Sequence, residues 1–261
     1  MCKGKDNLLD NSVLYINSSI DKQRSVLGIR FSQKWQYTMM QTILALFLVV
    51  ACVYAVSWPH GKYTLVKPKS GCPPGWFEGW RHQDNEDSDN KNSVSYGHHF
   101  YGSFGRNTKT YYCSKTREEK VTDWTTWKLL SWPKGTYCIL RKGGSCPKGF
   151  ANGHVHWDDE DSNNENNLGG TLPDGDYDRN TLIQYCCRSD GPSNIAIELP
   201  TSKPFYLVRK SSACQQVKGM TVRNEYIKTD DEDKDNKNSW AGSYPSISGG
   251  RNIQMEYCYY A

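Results

Sequence analysis

Leucine and alanine are sparse in this 261-residue chain outside one segment, and that scarcity argues against a helical bundle. Glycine, asparagine, tyrosine and tryptophan are plentiful instead, the profile of a loop-rich, mainly β protein. Neither sign of charge dominates: a net charge of +4 is too mild to make nucleic acid a partner. The patterns G-x-S-x-G and H-E-x-x-H and the phosphate-binding loop are missing, which removes the chemistries they mark. Beyond residue 57 no N-x-Ser/Thr glycosylation triplet occurs; the chain's one example is Asn17-Ser18-Ser19.

Long apolar runs are scarce too, apart from residues 38–57, which carry no charge. An N-terminal apolar helix is expected there, following a polar segment, residues 1–37. Two readings stand. Twenty residues span a bilayer of about 30 Å as a helix, giving a type II single-pass membrane protein. Alternatively, Ala55 and Ser57 before Trp58 form an A-x-S cleavage site, and a start at Met39 or Met40 makes the run a secretory signal. Lys22, Arg24, Arg30 and Lys34 precede the run and Lys62, Lys67 and Lys69 follow it, a bias that barely favours an inside N-terminus. Both readings put Trp58–Ala261 outside the cytosol.

The cysteines agree with that placement. Eight lie beyond residue 57: Cys72, Cys113, Cys138, Cys146, Cys186, Cys187, Cys214 and Cys258. An even number after a secretory or membrane segment reads as a disulfide framework. Spacing proposes Cys72–Cys113, Cys146–Cys186 and Cys214–Cys258, leaving Cys138 with Cys187. The alternative, Cys146–Cys187 with Cys138–Cys186, stays open. Each closed loop adds about 3–4 kcal/mol, chiefly through the unfolded state.

The residues also repeat. Three modules, 58–130, 131–199 and 200–261, each show a leading strand, a cysteine, an acidic loop and a closing Tyr-Cys. The loop fits D-x-E-D-x-[DN]-N-x-N at Asp84–Asn92, Asp158–Asn166 and Asp230–Asn238. Short β-branched and aromatic runs flank the loops, as strands require. The expected fold is therefore a disulfide-stapled, β-rich ectodomain of three homologous modules, with a pseudo-threefold arrangement as its attractive form. The connector Ser114–Leu130, with Trp124 and Trp127 three apart, suits a helical turn.

Oxygen-rich loops suit calcium, the one cofactor these residues recommend. Its ligands would come from Asp84, Glu86, Asp87 and Asp89, from Asp158, Glu160, Asp161 and Asn163, and from Asp230, Glu232, Asp233 and Asp235. The competing reading is an Asx-rich turn, in which these side chains bond backbone. A glycosidase pair such as Asp158 with Glu160 needs one proton-retaining acid and one ionised partner, an asymmetry three like loops do not offer. His154 and His156 share one strand face; a surface pair outweighs a metal site there. Aromatics near the loops, Trp76, Trp80, Trp157 and Tyr226, could form an apolar platform for a sugar or glycopeptide, or simply fill a small core.

The run from Trp132 to Asp190, with WPKGTYCILRKGGSCPKGF, WDDEDSNNENN and IQYCCRSDG, resembles the apextrin C-terminal (ApeC) domain. The later KPFYLVRKSSACQQVKGMTV and MEYCYY, and the earlier WPHGKYTLVKPKSGCP with HQDNEDSDNKNS, extend the resemblance over Trp58–Ala261. It implies a secreted or cell-surface invertebrate protein of defence or embryonic adhesion. Some members resemble recognition proteins for bacterial peptidoglycan and its muramyl-dipeptide unit. No membrane-attack domain fits before Trp58, so pore formation is not expected. The leading expectation is a non-enzymatic innate-defence protein binding bacterial cell-wall glycopeptide. The rival is a structural adhesion or matrix protein whose partners are other extracellular proteins.

Overall fold

A computed structural model describes residues 37, 39–43, 57–86, 89–118, 122–123, 128–161 and 163–261. The chain divides into two units, Met1–Ala55 and Val56–Ala261. In the first, Tyr37 and residues 39–43 are helical. Among the described residues no helix is long and apolar enough to cross a membrane. The apolar segment expected over 38–57 lies, apart from residues 39–43 and 57, outside the described residues.

The second unit is built from short antiparallel strands. Segment 58–130 carries β1 (Tyr63–Val66), β2 (Phe77–Gln83), β3 (Ser93–Val94), β4 (Gly102–Phe104) and β5 (Thr108–Lys115). The helical turn expected over 114–130 rests on Trp124 and Trp127, which lie outside the described residues; among the described residues of that connector, β6 (Thr122–Asp123) pairs with β7 (Lys128–Leu129). Segment 131–199 carries β8 (Thr136–Arg141), β9 (Ala151–Trp157), β10 (Asn167–Gly170), β11 (Gly175–Tyr177) and β12 (Thr181–Ser189). Segment 200–261 carries β13 (Phe205–Arg209), β14 (Val222–Lys228), β15 (Ser239–Gly242), β16 (Ile247–Ser248) and β17 (Gln254–Tyr260).

Within each segment one long strand holds three others. β5 pairs β1, β2 and β4; β12 pairs β8, β9 and β11; β17 pairs β13, β14 and β16. Between segments β10 pairs β2, β15 pairs β9, and β3 pairs β14, so each segment extends one strand onto another and the pairing closes cyclically. β8 also joins β1 and β13.

Period-2 alternation splits the leading strands between two cores. Val66, Leu140, Tyr206 and Val208 turn to one core, with Tyr112, Tyr185 and Tyr257 of the closing strands. Tyr63, Leu65, Tyr137, Ile139, Phe205 and Leu207 turn to the other, with Trp132, Leu199 and Tyr260. Burial on both faces explains why these strands read as continuous apolar runs. Each such side chain contributes roughly 1.5–3 kcal/mol when fully buried.

The four disulfides are Cys72–Cys113, Cys146–Cys186, Cys214–Cys258 and Cys138–Cys187. Cys138 and Cys187 face each other directly across β8 and β12. In the same register Thr64 faces Ser114, joined by a 2.8 Å hydroxyl hydrogen bond, and Tyr206 faces Tyr259. One cross-strand position thus takes a disulfide, a hydrogen bond or an aromatic pair.

Candidate functional site

The acidic loops meet one another through their first halves, while Asp89, Asp161, Asn163, Asp233 and Asp235 are exposed. Asp84, Glu86, Asp158, Asp159, Glu160, Asp230, Asp231 and Glu232 are all buried. The first aspartate of each loop binds the next: Asp84 N–H donates to Asn166 Oδ1, Asp158 N–H to Asn238 Oδ1 and Asp230 N–H to Asn92 Oδ1, at 2.6–2.7 Å. The same carboxylates accept from the N–H of Glu165, Lys237 and Lys91. Glu86, Glu160 and Glu232 N–H close a second ring onto the carbonyls of Asp230, Asp84 and Asp158. These bonds tie the three loops into one clasp.

The recurring residue types follow from this geometry. The sixth position is Asp89, Asn163 or Asp235, each at φ 50°, the left-handed conformation that Asn and Asp tolerate best among residues with a side chain. The seventh, Asn90, Asn164 or Asn236, accepts from the backbone N–H two residues on and donates to the loop glutamate's carbonyl, an Asx turn. The ninth, Asn92, Asn166 or Asn238, donates to Asn85, Asp159 or Asp231 and to the carbonyl of Arg106, Arg179 or Arg251. Asn107 and Asn180, just after the first two arginines, accept from Asn85 and Asp159 N–H. The recurring Arg-Asn pair was legible as a second motif, although attention to the acids alone passes it by.

For the calcium ligands this means competition from backbone. Asp84, Asp158 and Asp230 already accept N–H donors, Asp161 pairs Arg179 at 2.8 Å, and Asp233 lies 3.7 Å from Arg251. Asp87 lies outside the described residues. Among the described residues no three His, Cys, Asp or Glu groups converge as a metal cluster. The Asx-turn reading accounts for the recurring residues without a cation.

Crowding so many acids has an electrostatic cost. Burial pushes the Asp159 carboxyl up to about 6, against the pull of the Arg81 guanidinium and of hydrogen bonds from Thr181, Asn166 and Gln83. Burial also raises Asp231 well above the usual carboxylate range, and the Asp159 charge adds to the effect. Arg81, buried and 4.8 Å over the Trp157 ring, stands where β9 and β14 carry Val155 and Ile227. The second and third loops thus each carry a carboxyl raised by burial, at the position that Asn85 holds in the first.

The aromatic candidates separate. Trp157 is only 3% exposed and faces the core beneath Arg81, so it offers no ligand platform. Trp76 packs on Trp58 and Tyr63, with ring centroids 5.3 and 5.4 Å away. Tyr226 is half-buried, in the strand position equivalent to Trp80, and its N–H donates to Ser95 Oγ. Trp80 belongs to a row of half-buried and exposed rings and cations with the buried Lys67 at its centre. Lys109 Nζ sits 3.7 Å above its ring and 5.6 Å from Tyr111; Lys67 Nζ lies 5.7 Å from Tyr111 and 4.0 Å from Tyr101. Glu78 anchors Lys67 at 2.7 Å, and Tyr101 meets Tyr111 edge to face. Sequence alone does not bring Tyr101, Tyr111, Lys67 and Lys109 together: Trp80 faces Tyr111 across β2 and β5, and Lys67 bonds through its backbone to both Tyr111 and Tyr101.

One further polar cluster is unique to the third segment. Gly79 and Gly153 sit where a Cβ would fall 2.3 Å from Thr171 or 2.4 Å from Ser243. Glu225 occupies the corresponding position of β14, fully buried. Its carboxylate accepts from Tyr206 OH at 2.5 Å, His99 N–H at 3.0 Å and the His99 ring at 2.7 Å. These donors outweigh burial and hold Glu225 below the usual carboxylate range, while burial and Glu225 push the Tyr206 phenol up. His99 in turn stacks on Tyr259 at 4.0 Å.

Four disulfides across an antiparallel β unit define a stapled domain of the extracellular type. The chain belongs to the ApeC family: the family model of the C-terminal domain of apextrin matches residues 58–260. No curated protein and no solved structure matches the chain.

Proposed function

We propose that the chain is an extracellular recognition protein of innate defence that binds bacterial cell-wall glycopeptide, the peptidoglycan and its muramyl-dipeptide unit, without a chemical step. Its ectodomain is three copies of one module about a pseudo-threefold axis, secreted or held at the membrane by residues 38–57. The observation that carries this reading is the row Trp80–Lys109–Tyr111–Lys67–Tyr101. Aromatic faces carry the sugar ring, Lys109 and the exposed Glu78 give directed partners for hydroxyl, amide and carboxylate groups, and the buried Lys67, paired with Glu78, holds Tyr101 and Tyr111 in place. Membership of the ApeC family supports an extracellular binding role.

The test is sedimentation of the full chain with purified peptidoglycan, competed by soluble muramyl dipeptide. The expected result is competed binding that falls about tenfold or more in the Trp80→Ala, Tyr101→Ala double variant, since each stacking contact is worth on the order of 1 kcal/mol. Uncompeted or absent binding overturns the reading and favours the adhesion protein.

A further inference from the structure

The loops leading into β1, β8 and β13 border three seams between segments, and the seams differ. Between the second and third segments the seam is filled. Gln215, 1% exposed, accepts from Thr136 N–H at 2.8 Å and donates to Ile195 O at 2.6 Å, and Ile197 bridges Val217 beside it. Between the third and first segments lies a small cleft of about 240 Å³ walled by Trp58, Trp76 and four prolines. Its two cations are engaged: Lys115 donates to Gly61 O, and Lys203 to Cys72 O.

The seam between the first and second segments is different. It is a cleft of about 750 Å³, a volume in the range of small-ligand sites. Lys62, Lys134, Lys142, Lys148 and Arg188 line it, against only Glu118 and Asp190. Asp190 is taken by Arg188 at 2.5 Å, and Glu118 lies 3.5 Å from His60. Lys142 donates to Leu172 O. Lys62, Lys134 and Lys148 are exposed and have no acidic partner among the described residues. Trp132, 3% exposed and part of the wall, keeps a buried indole N–H without an acceptor. Gly61 and Pro147 hold the two loops close, at the place where Gln215 closes the corresponding seam on Gly135.

We infer that this cleft binds an anionic group, phosphate or carboxylate, carried by an extracellular glycan polymer, with Lys62, Lys134 and Lys148 as its cationic contacts. Three unpaired ammonium groups around one concavity create a focused positive field inside a chain whose net charge is only +4. A discrete anion fits such a concavity, whereas a duplex nucleic acid needs a stripe of phosphate contacts along a face. The site lies apart from the Trp80–Tyr101 row and does not depend on peptidoglycan being the ligand there.

Titration of the full chain with a glycerol-phosphate oligomer and, separately, an oligogalacturonate, at low and at physiological salt, tests this. Binding of at least one oligomer is expected, weakening as salt rises. Binding of one alone identifies phosphate or carboxylate as the group selected. The Lys62→Ala, Lys134→Ala, Lys148→Ala variant should lose about tenfold or more in affinity. A control with Lys91→Ala, Lys234→Ala and Lys237→Ala, exposed lysines of the acidic loops, should lose less than twofold. No binding of either oligomer by the native chain, or equal losses in both variants, overturns the inference. The Trp80→Ala, Tyr101→Ala variant separates the two sites: it should keep its affinity for the oligomer within twofold whether or not it still sediments with peptidoglycan.

Discussion

Replacing Asp159 by asparagine should stabilise the domain at pH 8 and leave it nearly unchanged at pH 4.5. The native carboxyl titrates near 6 because it is buried, against 3.8 in the unfolded chain. The native state therefore binds the proton more tightly, so stability rises as pH falls through 6 towards 4. A difference of about two pH units corresponds to roughly 3 kcal/mol, fully charged against the fold above pH 7. At pH 4.5 protonation has removed about 2 of those 3 kcal/mol. Asparagine abolishes the charge at every pH, and Asn85 holds the equivalent position in the first loop, accepting from Asn92 as Asp159 does from Asn166.

The substitution also has a cost. Asp159 Oδ2 accepts from Thr181 and Asn166, so an asparagine oxygen must stay there and its NH₂ then faces Gln83 Nε2. Gln83 must turn its amide over, at about 1 kcal/mol. The net gain is about 2 kcal/mol at pH 8, or roughly 4–8 °C in Tm for a unit of this size, and close to zero at pH 4.5. Asp231 titrates in the same direction and steepens the native profile. Asp190, lowered to about 2 by Arg188, and Asp174 and Glu225, also lowered, act oppositely, losing their stabilisation as pH falls below about 4. Thermal melts of both proteins between pH 4.5 and 8 decide the matter. A Tm difference that does not shrink towards pH 4.5 refutes the reasoning.

Two further substitutions probe the repeated framework. Cys138→Thr with Cys187→Ser copies the Thr64–Ser114 pair of the first segment. With Cys146–Cys186 intact the bridge closes a loop of only about ten residues, worth roughly 3 kcal/mol, and the new hydrogen bond returns about 1, so calorimetry should show a folded domain about 2 kcal/mol less stable. Gly153→Ala drives a methyl group against the Ser243 backbone and should cost about 3 kcal/mol, seen as a Tm lower by roughly 10 °C; Gly250→Ala, with open space around it, should leave Tm within about 2 °C.

Much of the framework was legible because its signals are local. The strand runs, the cysteine spacing and the nine-residue loop all recur, and disulfide partners are set by the same recurrence. What sequence left open was where the loops point. An Asp-rich loop reads alike whether its carboxylates face a cation or a neighbour's N–H, and only the structure shows the Asp84 carboxylate accepting from Glu165 N–H and that of Asp158 from Lys237 N–H. The row around Lys67 was hidden for a related reason: Trp80, Tyr101 and Tyr111 lie on different strands or loops, and register together with the Lys67 backbone bonds makes them neighbours. Trp157 looked like Trp80 in sequence, yet alternation along β9 sends it inward.

The clasp also explains where variation can gather. Each loop is bound through backbone N–H and carbonyl groups and through Asp and Asn side chains whose lengths are fixed by the Asx turn, so substitution there breaks a bond to another segment. The loops leading into β1, β8 and β13 share no such common bonding pattern. One seam is filled by Gln215, one is walled by tryptophan and proline, and one is lined by unpaired lysines, on the same disulfide framework. A uniform clasp with divergent seams suits the recognition role proposed above: the shared residues hold the segments together, and under that proposal the residues that differ would choose the ligand.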